Sequence, residues 1–285
     1  LPGAAERGSY VARLGRRIDA VHSTLCLGVD PDPEALPEGW PRDIQGVERF
    51  ANLLIDSCVD RAAAVKINLA FFEAFGSAGI AALERVRARI PADVPFIADA
   101  KRADIGPTVR RQAVALFEVL GADAVTASPY LGGEPLAAFF ERADRFVYVL
   151  CRTTNPGAAE IQNLLVDDVP LYIQVARRAR DWATDRGNVG LVVASTAPAE
   201  FERVREAAPE LAILVPGIGA QDGDIAAVMG HGPATAGSAA GNTGGSLVAN
   251  VSRGIAAAAL GSADPEAALA AAAAHWADLL GTRPH

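Results

Sequence analysis

Short, almost wholly apolar runs alternate along the chain with longer stretches in which apolar residues return every three or four positions. Eight short runs stand out: Leu25 to Asp30, Ala64 to Asn68, Phe96 to Lys101, Ala124 to Ala127, Phe146 to Cys151, Val189 to Ala194, Ala212 to Pro216 and Leu247 to Asn250. Runs this apolar are expected of parallel strands buried on both faces. Between them, Val47, Phe50, Ala51, Leu54, Ile55 and Cys58 recur at helical spacing, as do Leu171, Val175, Ala179 and Trp182, so each helix can cover the sheet with one face. Repetition of strand and helix predicts βαβ units and a parallel sheet. An open doubly wound sheet is the alternative, but no GxGxxG follows the first strand, which favours a closed (β/α)8 TIM barrel.

The 285 residues, 51% of them hydrophobic, suit one barrel domain spanning residues 1–285. Two segments depart from the repeat. The Gly- and Ala-rich stretch Gly230 to Gly245 reads either as a loose surface loop or as a mobile lid over a ligand. Residues 261–285 read as a terminal helix packing on the barrel, with Asp264 and Pro265 as its start. Pro31 to Pro41 reads as a proline-rich surface connection.

Formal charge is -8, with Arg scattered among acids, which leaves no basic footprint for nucleic acid or anionic membrane and favours a small-molecule partner. Three widely spaced cysteines suggest neither a disulfide framework nor a zinc site, and the four histidines are isolated. No apolar run approaches the roughly 18 residues of a membrane span, and the start lacks a signal-peptide block. The expectation is a soluble, cytoplasmic protein.

All but two of the 26 basic residues are Arg, and the two lysines, Lys66 and Lys101, both fall at or near strand ends. In this architecture the carboxyl ends of the strands carry the active site. A compact ammonium there can surrender a proton, which a guanidinium does not readily do. In FIADAKRADIG, strand alternation places Asp99 and Lys101 on one face, toward the barrel interior. Lys66 and Asn68 share a face on the second strand, and Gly28 and Asp30 on the first. Asp104 follows the third strand, where its loop can return the carboxylate to the same ammonium or offer it to a neighbouring subunit. An ammonium held between carboxylates stays protonated. It is therefore a poor Schiff-base nucleophile and a good cation and proton donor, suited to stabilising negative charge developing on carbon.

The opposite side of the mouth reads as an anion site. LVPGIGAQDGD places Pro216, Gly217 and Gly219 after the seventh strand, and NVSRGI places Arg253 and Gly254 after the eighth. Barrels often hold phosphate at this place on backbone amides, with Gln221 and Arg253 as candidate side chains.

These motifs resemble orotidine 5′-phosphate decarboxylase, in its longer-chain group. The resemblance runs from LCLGVDPDP at Leu25 through VKINLAFFEAFG, FIADAKRADIGPT, VTASPYLGG, LCRTTNPGA and LVPGIG to NVSRGI, and DAKRAD is its most specific piece. It implies decarboxylation of orotidine 5′-monophosphate to UMP in pyrimidine biosynthesis, with Lys101 protonating C6 as CO2 leaves beside Asp99. It implies that Lys66 links the array to the ribose and that Asp30 binds ribose hydroxyls, with Asn68 nearby. Asp104, and Thr108 after DIGP, would come from the other subunit of a homodimer. Thr154 stands where a hydroxyl, expected as Ser, approaches the pyrimidine. Pro216, Gly217, Gln221, Arg253 and Gly254 would surround the 5′-phosphate. The resemblance implies no metal and no organic cofactor.

Overall fold

The computed structural model describes residues 8–183, 187–195, 198–219, 224–236 and 245–282. The strands are β1 (Leu25–Val29), β2 (Ala64–Asn68), β3 (Phe96–Arg102), β4 (Ala124–Ala127), β5 (Phe146–Arg152), β6 (Leu165–Val166), β7 (Val169–Pro170), β8 (Val189–Val193), β9 (Ala212–Val215) and β10 (Leu247–Val251). Eight of them close into a parallel barrel in the order β1-β10-β9-β8-β5-β4-β3-β2, while β6 and β7 form a separate antiparallel hairpin. Each barrel strand begins at the expected residue and ends within one residue of the expected end.

Alternation sorts the strand residues between two cores. Leu25, Leu27, Val65, Ile67, Phe96 and Ala98 face the surrounding helices. Cys26, Ala64, Ile97, Ala124, Phe146, Leu214 and Val248 pack inside the barrel. The helix Tyr10–Val21 carries Tyr10, Leu14 and Ile18 one turn apart, and all three are buried in this inner core. Ser9 caps that helix, its side chain accepting the Ala12 N–H. Tyr10 stacks on Phe146 at 4.9 Å, and its hydroxyl lies 3.2 Å from that of Tyr148. Apolar filling therefore occupies the amino end of the barrel, and polar side chains collect at the carboxyl end, as this architecture favours.

Two features shape that polar end. A Cβ on Gly28 of β1 would lie 1.8 Å from Ser252 Oγ and 2.9 Å from Asn250 Oδ1, so only glycine leaves room for the side chains that follow and end β10. The terminal helix, Pro265–Leu279, starts where Asp264 accepts the Ala267 N–H at 3.0 Å. Its Trp276 lies against Gly219 and Gly254, where added Cβ atoms would meet the indole at 2.6 and 3.1 Å, and the indole N–H donates to Gly254 O at 3.2 Å. The loops after β9 and β10 are thus fastened to one side chain. No helix among the described residues is long and apolar enough to cross a membrane.

Candidate active site

A cavity of about 520 Å3 opens at the carboxyl end of the barrel strands, within the usual range for small-molecule sites. Asp30 borders it from the end of β1, Lys66 and Asn68 from β2, and Asp99 and Lys101 from β3. Register explains the convergence: Gly28 pairs with Lys66, Lys66 with Ile97, and Asn68 with Asp99. Lys66 and Asp99 therefore emerge side by side.

Asp99 is the centre of the cluster. Its Oδ2 accepts from Lys66 Nζ at 3.0 Å, and its Oδ1 accepts from Lys101 Nζ at 2.6 Å and from the Thr126 hydroxyl at 2.8 Å. Lys66 Nζ also lies 3.7 Å from Asp30 Oδ1. Burial alone would raise the Asp99 pKa, but Lys66 and Lys101 outweigh it and hold the carboxyl well below the usual carboxylate range. For Lys66, burial works against the charge, yet Asp30 and Asp99 raise its pKa above that of a free lysine. The cluster is thus two carboxylates and two ammoniums in balance. An ion pair at 4 Å is worth about 4 kcal/mol at an effective dielectric near 20.

The two lysines are not equivalent. The Lys66 side chain is 5% exposed and spent within the cluster, whereas that of Lys101 is 49% exposed and opens onto the cavity. Simple strand alternation does not account for Lys101. Pairing between β3 and β4 shifts register between Ala98 and Arg102, and Lys101 takes a left-handed backbone with φ of 47°. Its N–H donates to Thr126 Oγ1 at 2.9 Å. Thr126 on β4 thereby holds both the backbone of Lys101 and the carboxylate of Asp99. Below the cluster, burial pushes the Cys26 thiol up to about 12, which makes it an inert core residue rather than a nucleophile.

Across the mouth, Pro216, Gly217 and Arg253 border the cavity after β9 and β10, and Thr154 borders it after β5. Arg253 is exposed and Gly217 has φ of 89°. Asp30 Oδ1 and Asn250 Oδ1 are buried without a hydrogen-bond partner, on two residues that line the cavity. Such oxygens suit a ligand that brings hydroxyl donors.

Three expected site residues do not border the cavity of their own chain. Asp104 accepts the Ile105 N–H at 2.8 Å, pairs with no basic group among the described residues and does not line the cavity. Thr108 is exposed on the helix Gly106–Ala113, also away from the cavity lining. Gly254 sits behind Arg253 against Trp276, so its want of a side chain serves helix packing. Gln221, with residues 237–244 of the glycine and alanine stretch, lies outside the described residues. The cavity adds Thr126, Thr153, Asn155, Gln162, Asn250 and Ser252, which the sequence reading passed over. Of these, all but Gln162 fall within motifs that carry the resemblance: Thr126 in VTASPYLGG, Thr153 and Asn155 in LCRTTNPGA, and Asn250 and Ser252 in NVSRGI.

Residues 23–272 match the family model described as Orotidine 5′-phosphate decarboxylase / HUMPS family. An orotidine 5′-phosphate decarboxylase of Thermomicrobium roseum is 50% identical over 219 residues, covering 76% of this chain and 78% of that protein. The Herpetosiphon aurantiacus protein of the same name is 46% identical over 248 residues, covering 86% and 88%. The solved structure of Leishmania donovani OMP decarboxylase is similar with a TM-score of 0.79 at 38% identity, covering 95% of this chain and 98% of that one. The match spans every barrel strand and all the cavity residues named above. The chain belongs to the orotidine 5′-phosphate decarboxylase / HUMPS family and is a decarboxylase, a carboxy-lyase, of that family.

Proposed function

We propose that this enzyme decarboxylates orotidine 5′-monophosphate to UMP and CO2 in pyrimidine biosynthesis, without metal or organic cofactor. The observation that carries the reading is the division of Asp99 between a buried lysine and an exposed one. When the bond from C6 to the carboxylate breaks, the electron pair stays on C6 and CO2 departs. The Lys101 ammonium stabilises that charge and then gives C6 its proton, leaving a neutral amine that regains a proton from water. One side chain thus supplies both electrostatic stabilisation and the proton, so the chemistry calls for no further group. Asp99 stays ionised and lies beside the departing carboxylate, whose loss of charge relieves the contact.

The remaining contacts distribute the rest of the substrate. Asp30 and Asn68 meet the ribose beside Lys66, and Thr154 meets the pyrimidine. Pro216, Gly217, Arg253 and Gln221 surround the 5′-phosphate, with Gly254 shaping the turn behind Arg253. Binding energy from the remote phosphate then lowers the barrier at C6, each 1.36 kcal/mol being about tenfold in rate. Two copies form a homodimer in which Asp104 and Thr108 complete the neighbouring site; within one chain Asp104 has no described cationic partner. The enzyme acts as a single barrel domain in the cytoplasm.

The test follows the fall of orotidine monophosphate absorbance with purified protein, with and without a chelator. Turnover in both is expected. Lys101→Ala should abolish turnover while UMP still binds; an active Lys101→Ala enzyme would remove the lysine from the proton-transfer step.

A further inference from the structure

The short helix Ala158–Gln162 follows β5 and ends in a side chain that borders the cavity. Two donors meet its Oε1: the Thr153 N–H at 3.0 Å and Arg152 Nη1 at 3.3 Å. Its Nε2 donates to Thr153 Oγ1 at 2.7 Å. A backbone N–H and a guanidinium can only donate, so the assignment of oxygen and nitrogen in this amide is dictated by its partners. Arg152 is itself held by Glu200 on the helix Pro198–Ala207. The amide nitrogen carries two N–H bonds and this network uses one. The other is left for whatever enters the cavity.

Topology says which part of a ligand that is. Around the barrel, β1 and β5 lie diametrically opposite, four strands apart in either direction. Asp30, at the β1 end, has an oxygen that accepts no hydrogen bond and so suits sugar hydroxyls. Lys101 stands on β3, and Gly217 and Arg253 follow β9 and β10. The same cavity has apolar lining from Leu150, Val192 and Leu214, as a flat ring would need. In a pyrimidine nucleotide whose sugar lies toward β1, C4 is para to the ring nitrogen that bears the sugar. The C4 substituent therefore points to β5.

We infer that Gln162 is a specificity-determining residue that donates its free N–H to the C4 carbonyl of a uracil-type base and disfavours cytosine, whose C4 amine is itself a donor. The inference rests on the reading of the substrate as a pyrimidine nucleotide. Arg152 and Glu200 are positioning residues, acting through Gln162.

Gln162→Glu isolates the donor, because a carboxylate can still accept from Thr153 and Arg152 but offers no N–H. Gln162→Met, similar in length and without polar atoms, is the companion variant if the first disturbs the loop. Calorimetry with UMP, CMP and ribose 5-phosphate reads the outcome. The native protein should prefer UMP to CMP. In both variants UMP should weaken by about tenfold to a hundredfold, the UMP preference should collapse, and ribose 5-phosphate should bind as before. Unchanged UMP binding or preference in the variants overturns the assignment alone. An equal loss of ribose 5-phosphate reduces Gln162 to a brace and overturns it as well. A native protein that holds UMP no better than ribose 5-phosphate overturns the substrate reading and this inference together.

Discussion

The N–H of Lys101 donates to the hydroxyl of Thr126 at 2.9 Å, tying the left-handed backbone of the cavity lysine to the neighbouring strand. The same hydroxyl donates to Asp99 Oδ1 at 2.8 Å. One buried oxygen thus sets both the origin of the Lys101 side chain and the orientation of its carboxylate. Thr126→Val keeps the shape and removes both bonds. Turnover of orotidine monophosphate should fall by about tenfold to a hundredfold, and stability by about 1–3 kcal/mol, the cost of orphaning a buried polar group. Initial rates and denaturant unfolding read these two effects. Native turnover would reduce Thr126 to a packing residue.

The charge cluster predicts a particular pH dependence of stability. Burial opposes ionisation of Asp99, but Lys66 and Lys101 prevail and lower its folded pKa. Its contribution is therefore complete above the unfolded carboxyl value, about 4, and fades only as pH falls from there through the lower folded value. For Lys66 the sign reverses: burial opposes the charge, Asp30 and Asp99 prevail, and the folded pKa is raised. That contribution is complete below about 10.4 and fades as pH rises through the higher folded value. Asp99→Asn should cost about 3–5 kcal/mol at neutral pH, because it leaves the buried Lys66 ammonium with Asp30 as its one carboxylate partner among the described residues. The gap between native and variant should stay level from about pH 5 to pH 9 and shrink below about pH 4. Unfolding curves at several pH values measure it, and a gap that widens in acid would reverse the sign assigned to Asp99.

Arg253 is exposed at the cavity mouth, and among the described residues its guanidinium makes no hydrogen bond or ion pair. Arg253→Ala should therefore leave the melting temperature unchanged while weakening UMP by about tenfold to a hundredfold, the worth of charge-assisted bonds to phosphate. Uridine, which lacks the phosphate, should bind native and variant protein alike. A matching loss of uridine binding would move Arg253 from the phosphate to the rest of the site.

The barrel was legible in the sequence because its strands are buried on both faces and so read as unbroken apolar runs, from Leu25 to Val251. The lysines stood out because Arg supplies every other basic group. Other features left little trace. The helix Tyr10–Val21 precedes the first strand and so stands outside the strand and helix repeat. The β6–β7 hairpin turns through Asp167 and Asp168, both at positive φ, without the glycine that announces such a turn. Nothing in DAKRAD marks the register shift at Lys101, and a lone Thr126 in an apolar strand looks like packing. Gly254 reads as a phosphate turn from its neighbours, since the indole it accommodates, that of Trp276, comes 22 residues later.

Asp104 supplies the test of assembly. It accepts only a local N–H among the described residues and stands outside the cavity of its own chain, three residues beyond Lys101. If it completes the site of a second copy, then Lys101→Ala and Asp104→Ala homodimers each lack activity for reasons on different chains. Unfolding and refolding an equal mixture would put half the subunits into mixed dimers. A two-fold dimer then contains one site with both defects and one with neither, so activity should return to about a quarter of the native level. Mixing without unfolding should restore activity only as fast as subunits exchange. If Asp104 acted within its own chain, every site in the mixed dimer would carry one defect, and no activity would return.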